Sequence, residues 1–357
     1  MRIQLAKSRS GIALIIVLVV IVVLGIIAGK FAYSMKVETT LARHASFSSE
    51  LDWMGRAGVE IAKWVLAQES QGPQGQVDSL RQRWAGGPGD SNSVVSAVDL
   101  KNYQIGNGTV SIDIKDLDRK FNINSADEVV LKQAFTLIGV DAASLSTVIG
   151  SILDWMDRDQ DPHLGGTESR TYEAEDPPHF CKDGPFDDLS ELLWVHGVTP
   201  AMYYGSGGGE GPRIFNRVPM SQRSHFEEPT YAVGLVDLFT PLSSGLININ
   251  TASATVLQLM PDIDENMAQA IIQKRAGPDG VDGTDDDLPF RVPTELAAMP
   301  GFASPTAITQ LGRFFTTRSL VFEVHVTASI GSSKREYVAI LMRLAPRDIR
   351  TLNLYWK

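Results

Sequence analysis

The chain's 357 residues are enough for two or three domains, each with its own core. With 43% hydrophobic residues, the composition excludes a disordered chain. The formal charge is −10, or −13 without the three cations of the first eleven residues. It disfavours nucleic acid and anionic lipid as partners of the body and suits cations, and a single cysteine, Cys181, excludes an intrachain disulfide.

Residues 1–11 read MRIQLAKSRSG, basic and ending in glycine, and the next 18, Ile12 to Gly29, carry no charge. As a helix that run is roughly 27 Å long, enough for a hydrocarbon core, and the basic flank puts the N-terminus in the cytoplasm. The residues allow a secretory signal cut near Ala28-Gly29 or a plain anchor. A short basic leader ending in Gly11 before an apolar run is also similar to the class III signal of type IV pilins and pseudopilins, and that resemblance implies a cut after Gly11 that leaves Ile12 as the new N-terminus. The helix pattern continues without proline to about Glu69, with Phe47, Leu51, Met54, Ile61, Trp64 and Val65 at helical spacing. Gly55 and Gly58 weaken it locally, and QGPQG (71–75) ends it. From Ile12 this helix would be roughly 85 Å long, half in the membrane and half outside.

TVSIDIK (109–115) alternates as a half-buried strand with Val110, Ile112 and Ile114 on one face. SLVFEVHVTAS (319–329) and REYVAILMRL (335–344), joined by the turn IGSSK, read as a hairpin. The region between, about 121–315, reads mostly helical and duplicated. DRKFNINSADEVVLKQAF (118–135) and SGLININTASATVLQLM (244–260) share Asn-Ile-Asn, then a Ser or Thr (Ser125, Thr251) that can cap a helix. SELLWVHGV (190–198) and TELAAMPGF (294–302) follow as a second matched pair, each read as a helix ending at glycine. The fold class is therefore α+β: a long N-terminal helix on a small antiparallel sheet, with a large inserted all-α region of two helix-hairpin-helix, SAM-like units.

Two acidic loops stand out. From Asp154 to Glu191 there are twelve acids against three Lys or Arg, and Asp157, Asp159 and Asp161 alternate so that their oxygens could converge on one cation. Glu168 and the backbone near Tyr172 could complete the shell. Pro162 stands where an EF-hand needs glycine, so this is not an EF-hand. GPDGVDGTDDDLPF (277–290) packs Asp279, Asp282, Asp285, Asp286 and Asp287 into nine residues, and these acids would repel one another without a cation. Hard oxygen donors favour Ca²⁺ over zinc, with His163 and His179 left as the transition-metal alternative.

Leader, long helix, strand, FNIN block, DWMDRDQDP block, SEL block, ININTA block and C-terminal hairpin together resemble the K-type minor pseudopilin of type II secretion (general secretion pathway protein K family) over nearly the whole chain. The resemblance implies a prepilin leader (1–11), a transmembrane helix (12–29), a pilin-like helix with first strands (30–120), a first SAM-like unit (121–204), a linker (205–243), a second unit (244–315) and a C-terminal hairpin (316–357). It implies cleavage after Gly11 by the prepilin peptidase, methylation of Ile12, and a single-pass inner-membrane protein with its bulk in the periplasm. Most relatives of the wider pilin class have glutamate at the fifth mature position; here that position is Ile16, which fits the top place in a filament. The implied partners are the I- and J-type minor pseudopilins and the major pseudopilin, with secreted cargo as a further contact. The resemblance also implies an acidic metal-binding region at Asp157, Asp159, Asp161 and Glu168.

The string ININTASATVLQLMPDIDENMAQAIIQKR is also similar to helix-hairpin-helix DNA-binding proteins such as competence receptors, the second functional reading. Its hairpin reads Met260-Pro261-Asp262-Ile263-Asp264 in place of the Gly-x-Gly that lets amides approach a phosphate. A metal- or carboxylate-dependent hydrolase is a third reading, without HExxH or GxSxG to support it, so no enzymatic activity and no nucleic-acid partner are expected.

Overall fold

A computed structural model describes the backbone of residues 10–71, 76–205, 231–302 and 311–357, and side chains from residue 13 onward except 43–46. The leader residues 1–9, the side chains of Ser10 and Ile12, most of QGPQG, and residues 206–230 of the expected linker lie outside it.

Helix α1 runs Ser10–Glu69. Its residues 13–42 are exposed all round, and among the described residues it is the one helix long and apolar enough to cross a membrane. Farther along, Leu51, Met54, Ala62, Val65 and Leu66 are buried at i, i+3, i+4 spacing against a five-stranded antiparallel sheet. Strands β1 (Tyr103–Ile105) and β2 (Gly108–Asp116) open the sheet. Its face toward α1 presents Val110, Ile112, Ile114, Phe322, Val324 and Val326, the alternation the sequence shows. Gly55 and Gly58, read as weak points, are points of contact. A Cβ on Gly55 would meet the Tyr337 ring, and one on Gly58 would meet Val326.

Residues 117–320 connect β2 to β7 (Val321–Ile330), which lie side by side with Asp116 opposite Phe322. The inserted region therefore stands in the place of a hairpin turn. It leaves the sheet at the end away from the apolar part of α1. At the other end Glu50 approaches Gly106 and Met54 approaches Gly108, and farther along α1 Gly58 meets Val110 and Val326, so α1 advances along β2 toward its Asp116 end.

The first half of the insertion starts with β3 (Phe121–Asn122), a turn at Ile123–Ser125, α2 (Glu128–Ile138) and α3 (Ala142–Met156). It continues through α4 (Ser169–Tyr172), a 3₁₀ turn at Leu189–Trp194 and α5 (Pro200–Tyr204). After α6 (Leu235–Leu238), β4 (Phe239–Thr240) closes it by pairing parallel to β3. The second half repeats the plan: β5 (Ile247–Asn248), α7 (Ala254–Leu257), α8 (Glu265–Arg275) and a 3₁₀ turn at Pro293–Ala298. Strand β6 (Phe315–Thr316) then closes it, parallel to β5. The halves share one core with Phe135, Ile152, Leu257, Ile271 and Phe302.

The second asparagine of each Asn-Ile-Asn makes the same clasp. Asn124 Nδ2 donates to the Phe186 carbonyl at 3.0 Å and its Oδ1 accepts the Phe186 N–H at 2.7 Å. Asn250 does so with Phe290 at 2.9 and 2.8 Å.

Three local readings are corrected. The insertion is less helical than its pattern: among the described residues only α2, α3 and α8 exceed ten residues, and the SEL and TEL segments form six-residue 3₁₀ helices. The caps are displaced. Asp127, not Ser125, accepts the Val130 N–H to cap α2, and Ser253, not Thr251, accepts the Val256 N–H to cap α7. The C-terminal hairpin is β7 with β8 (Ser333–Ala345), turning in two residues, and a further edge strand, β9 (Asp348–Trp356), was not foreseen.

Thr251 is occupied elsewhere, in a buried polar seam between sheet and insertion. Its hydroxyl donates to Asp116 Oδ2 at 2.5 Å, as does Ser319 at 2.6 Å, and the Asp118 N–H reaches Asp116 Oδ1 at 2.8 Å. Asp118 accepts the N–H groups of Ser244 and Leu320, one from each half of the seam. Arg343, almost fully buried, pairs with Asp78 and lies over the Phe322 ring. Burial, and then the neighbouring Asp118, push the Asp116 carboxyl up to about 7; burial also raises Asp118.

Candidate metal centre in the first acidic loop

Helix α3 turns Val148, Ile149, Ile152 and Trp155 into the core, which carries Asp154 inside with them. The chain beyond α3 doubles back. Gly150 and Gly166 meet so closely that a Cβ on Gly166 would strike the Asp154 carboxylate, so this approach requires glycine. The return brings Glu168 beside Asp157 and Asp159 at the end of α3, and Asp183 lies beside Glu168.

Ligand-type oxygens of Asp157, Asp159 and Glu168 lie within 4.8 Å of one another, as do those of Glu168 and Asp183 with the Cys181 sulfur. Asp154 and Asp157 group with His163 in the same way. Asp154 Oδ2, Asp157 Oδ1, both Glu168 oxygens and Asp183 Oδ1 are buried with no hydrogen-bond partner among the described residues. Burying a carboxylate unpaired is costly, and five such atoms converge here. Burial, then the charges of Asp154 and Asp157, push the Glu168 carboxyl up to about 7. Burial and then Asp159 raise Asp157. Nearby, His163 Nδ1 lies 2.6 Å from Asp154 Oδ1, and that bond raises the imidazole above its usual range.

Of the residues read from the sequence, Asp157, Asp159 and Glu168 are brought together. Asp161 is exposed, outside the group, with its N–H on Asp159. Tyr172 is buried with its ring against Trp155, and its carbonyl already accepts the N–H of His179. Asp154 and Asp183 were not named. An acid three residues after the buried Ser151, within an apolar helical run, is the signal for Asp154. Asp183, ahead of Gly184, reads as an ordinary turn. Cys181 is a buried thiol pushed up to about 12 by burial, which suits packing rather than thiolate chemistry.

The second loop is built differently. Arg275, 4% exposed, holds Asp282 through Nε at 3.0 Å and Nη2 at 2.7 Å. Asp287 accepts the N–H groups of Gly283 and Thr284. Asp286 accepts the Asp279 N–H and the Thr284 hydroxyl, which hold its carboxyl below the usual range, and Asp279 accepts the Val281 N–H. Asp285 is exposed. The mutual repulsion expected of these acids is thus relieved by amides, a hydroxyl and a guanidinium. In the hairpin before α8, Asp264 caps the helix by accepting the Met267 N–H at 2.8 Å, so a carboxylate stands where a phosphate would approach.

A half-covered N-terminal helix on an antiparallel sheet, with a two-part insertion, defines a pilin-like subunit carrying a large extra head. Comparison with known proteins makes this specific. Two family profiles match, both described as Type II secretion system (T2SS), protein K, over residues 111–205 and 247–314. The chain belongs to the type II secretion system protein K family.

Curated relatives include Type II secretion system protein K of Klebsiella pneumoniae, 24% identical over 213 residues, and a putative protein K of Escherichia coli K12, 22% identical over 211. Each match covers 55% of this chain and 60% of the relative's length. The protein K of Pseudomonas aeruginosa is 22% identical across 97% of this chain and 92% of its own. Among solved structures, a chain of the GspK-GspI-GspJ complex from enterotoxigenic Escherichia coli is similar with TM-score 0.62 and 16% identity, covering 88% of this chain and 99% of that one. That likeness is one of fold.

Proposed function

We propose that this chain is the K-type minor pseudopilin at the tip of a type II secretion pseudopilus. There it starts and caps the filament and contributes to protein export across the outer membrane. The carrying observation is the position of the inserted region, at the end of the sheet away from the apolar stretch of α1. A subunit with that bulk above its own sheet leaves no room for another directly on top, so it belongs last in the stack. Ile16 supports the same place, because without a carboxylate there the helix has nothing to offer the amine of a subunit above.

In this reading the prepilin peptidase cuts after Gly11 and methylates Ile12. The apolar part of α1 then spans the inner membrane once, with the sheet and head in the periplasm. The inserted halves are SAM-like units used as structural pieces, and the head faces cargo and the secretin. The I- and J-type minor pseudopilins and the major pseudopilin pack along α1.

Calcium belongs to the same proposal. Asp154, Asp157, Asp159, Glu168 and Asp183 fit a hard cation: their donors are carboxylate oxygens, several of them buried without partners among the described residues. Bound Ca²⁺ would supply positive charge that holds the returning loop against α3.

The functional reading is tested by co-expressing the full chain with the I- and J-type minor pseudopilins of its own organism and purifying it in detergent. A complex containing one copy of each is expected. Purification of this chain alone under conditions where the other two associate would contradict it.

A further inference from the structure

The two acidic loops occupy the same station in two halves built on one plan. Each lies between the second helix of its half (α3 or α8) and the phenylalanine held by the Asn-Ile-Asn clasp, Phe186 or Phe290. Their contents are opposite. The first loop gathers five buried carboxylate oxygens that no described residue satisfies. In the second, among the described residues, no carboxylate oxygen is left buried without a partner.

The second loop's charge is matched by Arg275, at the C-terminal end of α8. Besides holding Asp282 with two nitrogens, Arg275 donates through Nη1 to the Ile249 carbonyl at 2.7 Å and the Ala252 carbonyl at 2.8 Å. One guanidinium thereby ties the acidic loop to the ININTA block.

We propose that Arg275 is the built-in cation of the second half, filling the organising role that a bound divalent cation fills in the first. The inserted region then has one metal-organised loop and one arginine-organised loop, and calcium controls the first alone. This rests on the calcium reading above for the contrast, but not for the role of Arg275 itself. A guanidinium stays charged at every physiological pH and cannot be chelated. Its fixed fork matches a carboxylate edge-on, and its remaining donors are satisfied by carbonyls, as a buried ion pair requires. Calcium withdrawal therefore loosens residues 157–183 and leaves 277–290 in place.

Hydrogen–deuterium exchange on the full chain in detergent, in CaCl₂ and in EDTA, reads both loops at once. EDTA is expected to speed exchange in 157–183 by about tenfold or more and to leave 277–290 unchanged. A comparable acceleration in 277–290 overturns the proposal. So does an EDTA response of 277–290 in the double variant Asp157→Asn/Glu168→Gln, in which the first loop is disabled. Arg275→Met is expected to speed exchange in 277–290 by about tenfold with 157–183 unaffected, and no change in 277–290 overturns the proposal whatever the calcium result. If Arg275→Met does not fold, Arg275→Lys, which keeps charge but loses the fork, is expected to loosen the same segment; protection equal to wild type overturns the proposal. Absence of any EDTA response, with no calcium in the purified protein, would defeat the calcium reading, while the Arg275 variants still decide the role of the guanidinium.

Discussion

Asp116 has its carboxylate enclosed by Thr251, Ser319, Asn248 and the Asp118 amide, with Asp78 and Asp118 as charged neighbours and Arg343 committed to Asp78. Enclosure without a cation of its own raises it to about 7, well above the ordinary aspartate value near 3.9. A carboxyl raised on folding contributes stability that is complete below its unfolded pKa and is lost as pH rises through the folded value. Wild type should lose melting temperature between about pH 4 and pH 7, measured in saturating CaCl₂ to keep the proposed calcium site constant. Asp116→Asn should flatten that slope. Equal slopes would remove Asp116 as its source.

None of this seam was legible from the sequence. Asp116 closes an alternating strand, and Thr251 reads as a helix cap until its hydroxyl is seen to point across 135 residues of chain to Asp116. Of the candidate metal centre, Asp157, Asp159 and Glu168 are legible because alternating acids in a loop converge locally. Asp154 and Asp183 are brought to them by the Gly150–Gly166 contact and the fold of the loop, which spacing does not encode.

At the scale of elements, periodicity served best where one face meets a continuous surface. The buried stripe of α1, the β2 alternation and the β7–β8 hairpin follow it closely. It failed where helices are short and held by specific polar clasps: SEL and TEL carry helix residues, but Asp188 and Glu191 close the first into a short capped 3₁₀ helix. The glycines of α1 illustrate a propensity rule overridden by packing. Gly58→Val should gain helix propensity yet force α1 off Val110 and Val326. The expected outcome is a loss of about 1–3 kcal/mol by chemical denaturation. Unchanged stability would mean that the helix–sheet contact is looser than these distances imply.

In the whole molecule the sheet lies between an apolar helix and the inserted head. The apolar stretch of α1 marks one end, and the duplicated head, hung on the adjacent ends of β2 and β7, marks the other. The order of elements was readable in the chain, but which end of the sheet carries the head was not, because it depends on the direction in which α1 crosses the strands. The proposed calcium site would act at this scale too. Chelation should lower the melting temperature of wild type and leave Glu168→Gln, already deprived of the central ligand, little changed. An equal EDTA shift in both would place the cation elsewhere.

The claim that the head occupies the filament tip is tested most directly by immunogold electron microscopy of sheared pseudopili, with antibody raised against residues 121–315. The account predicts gold at a single end of each labelled filament; gold spaced along the shaft would contradict it.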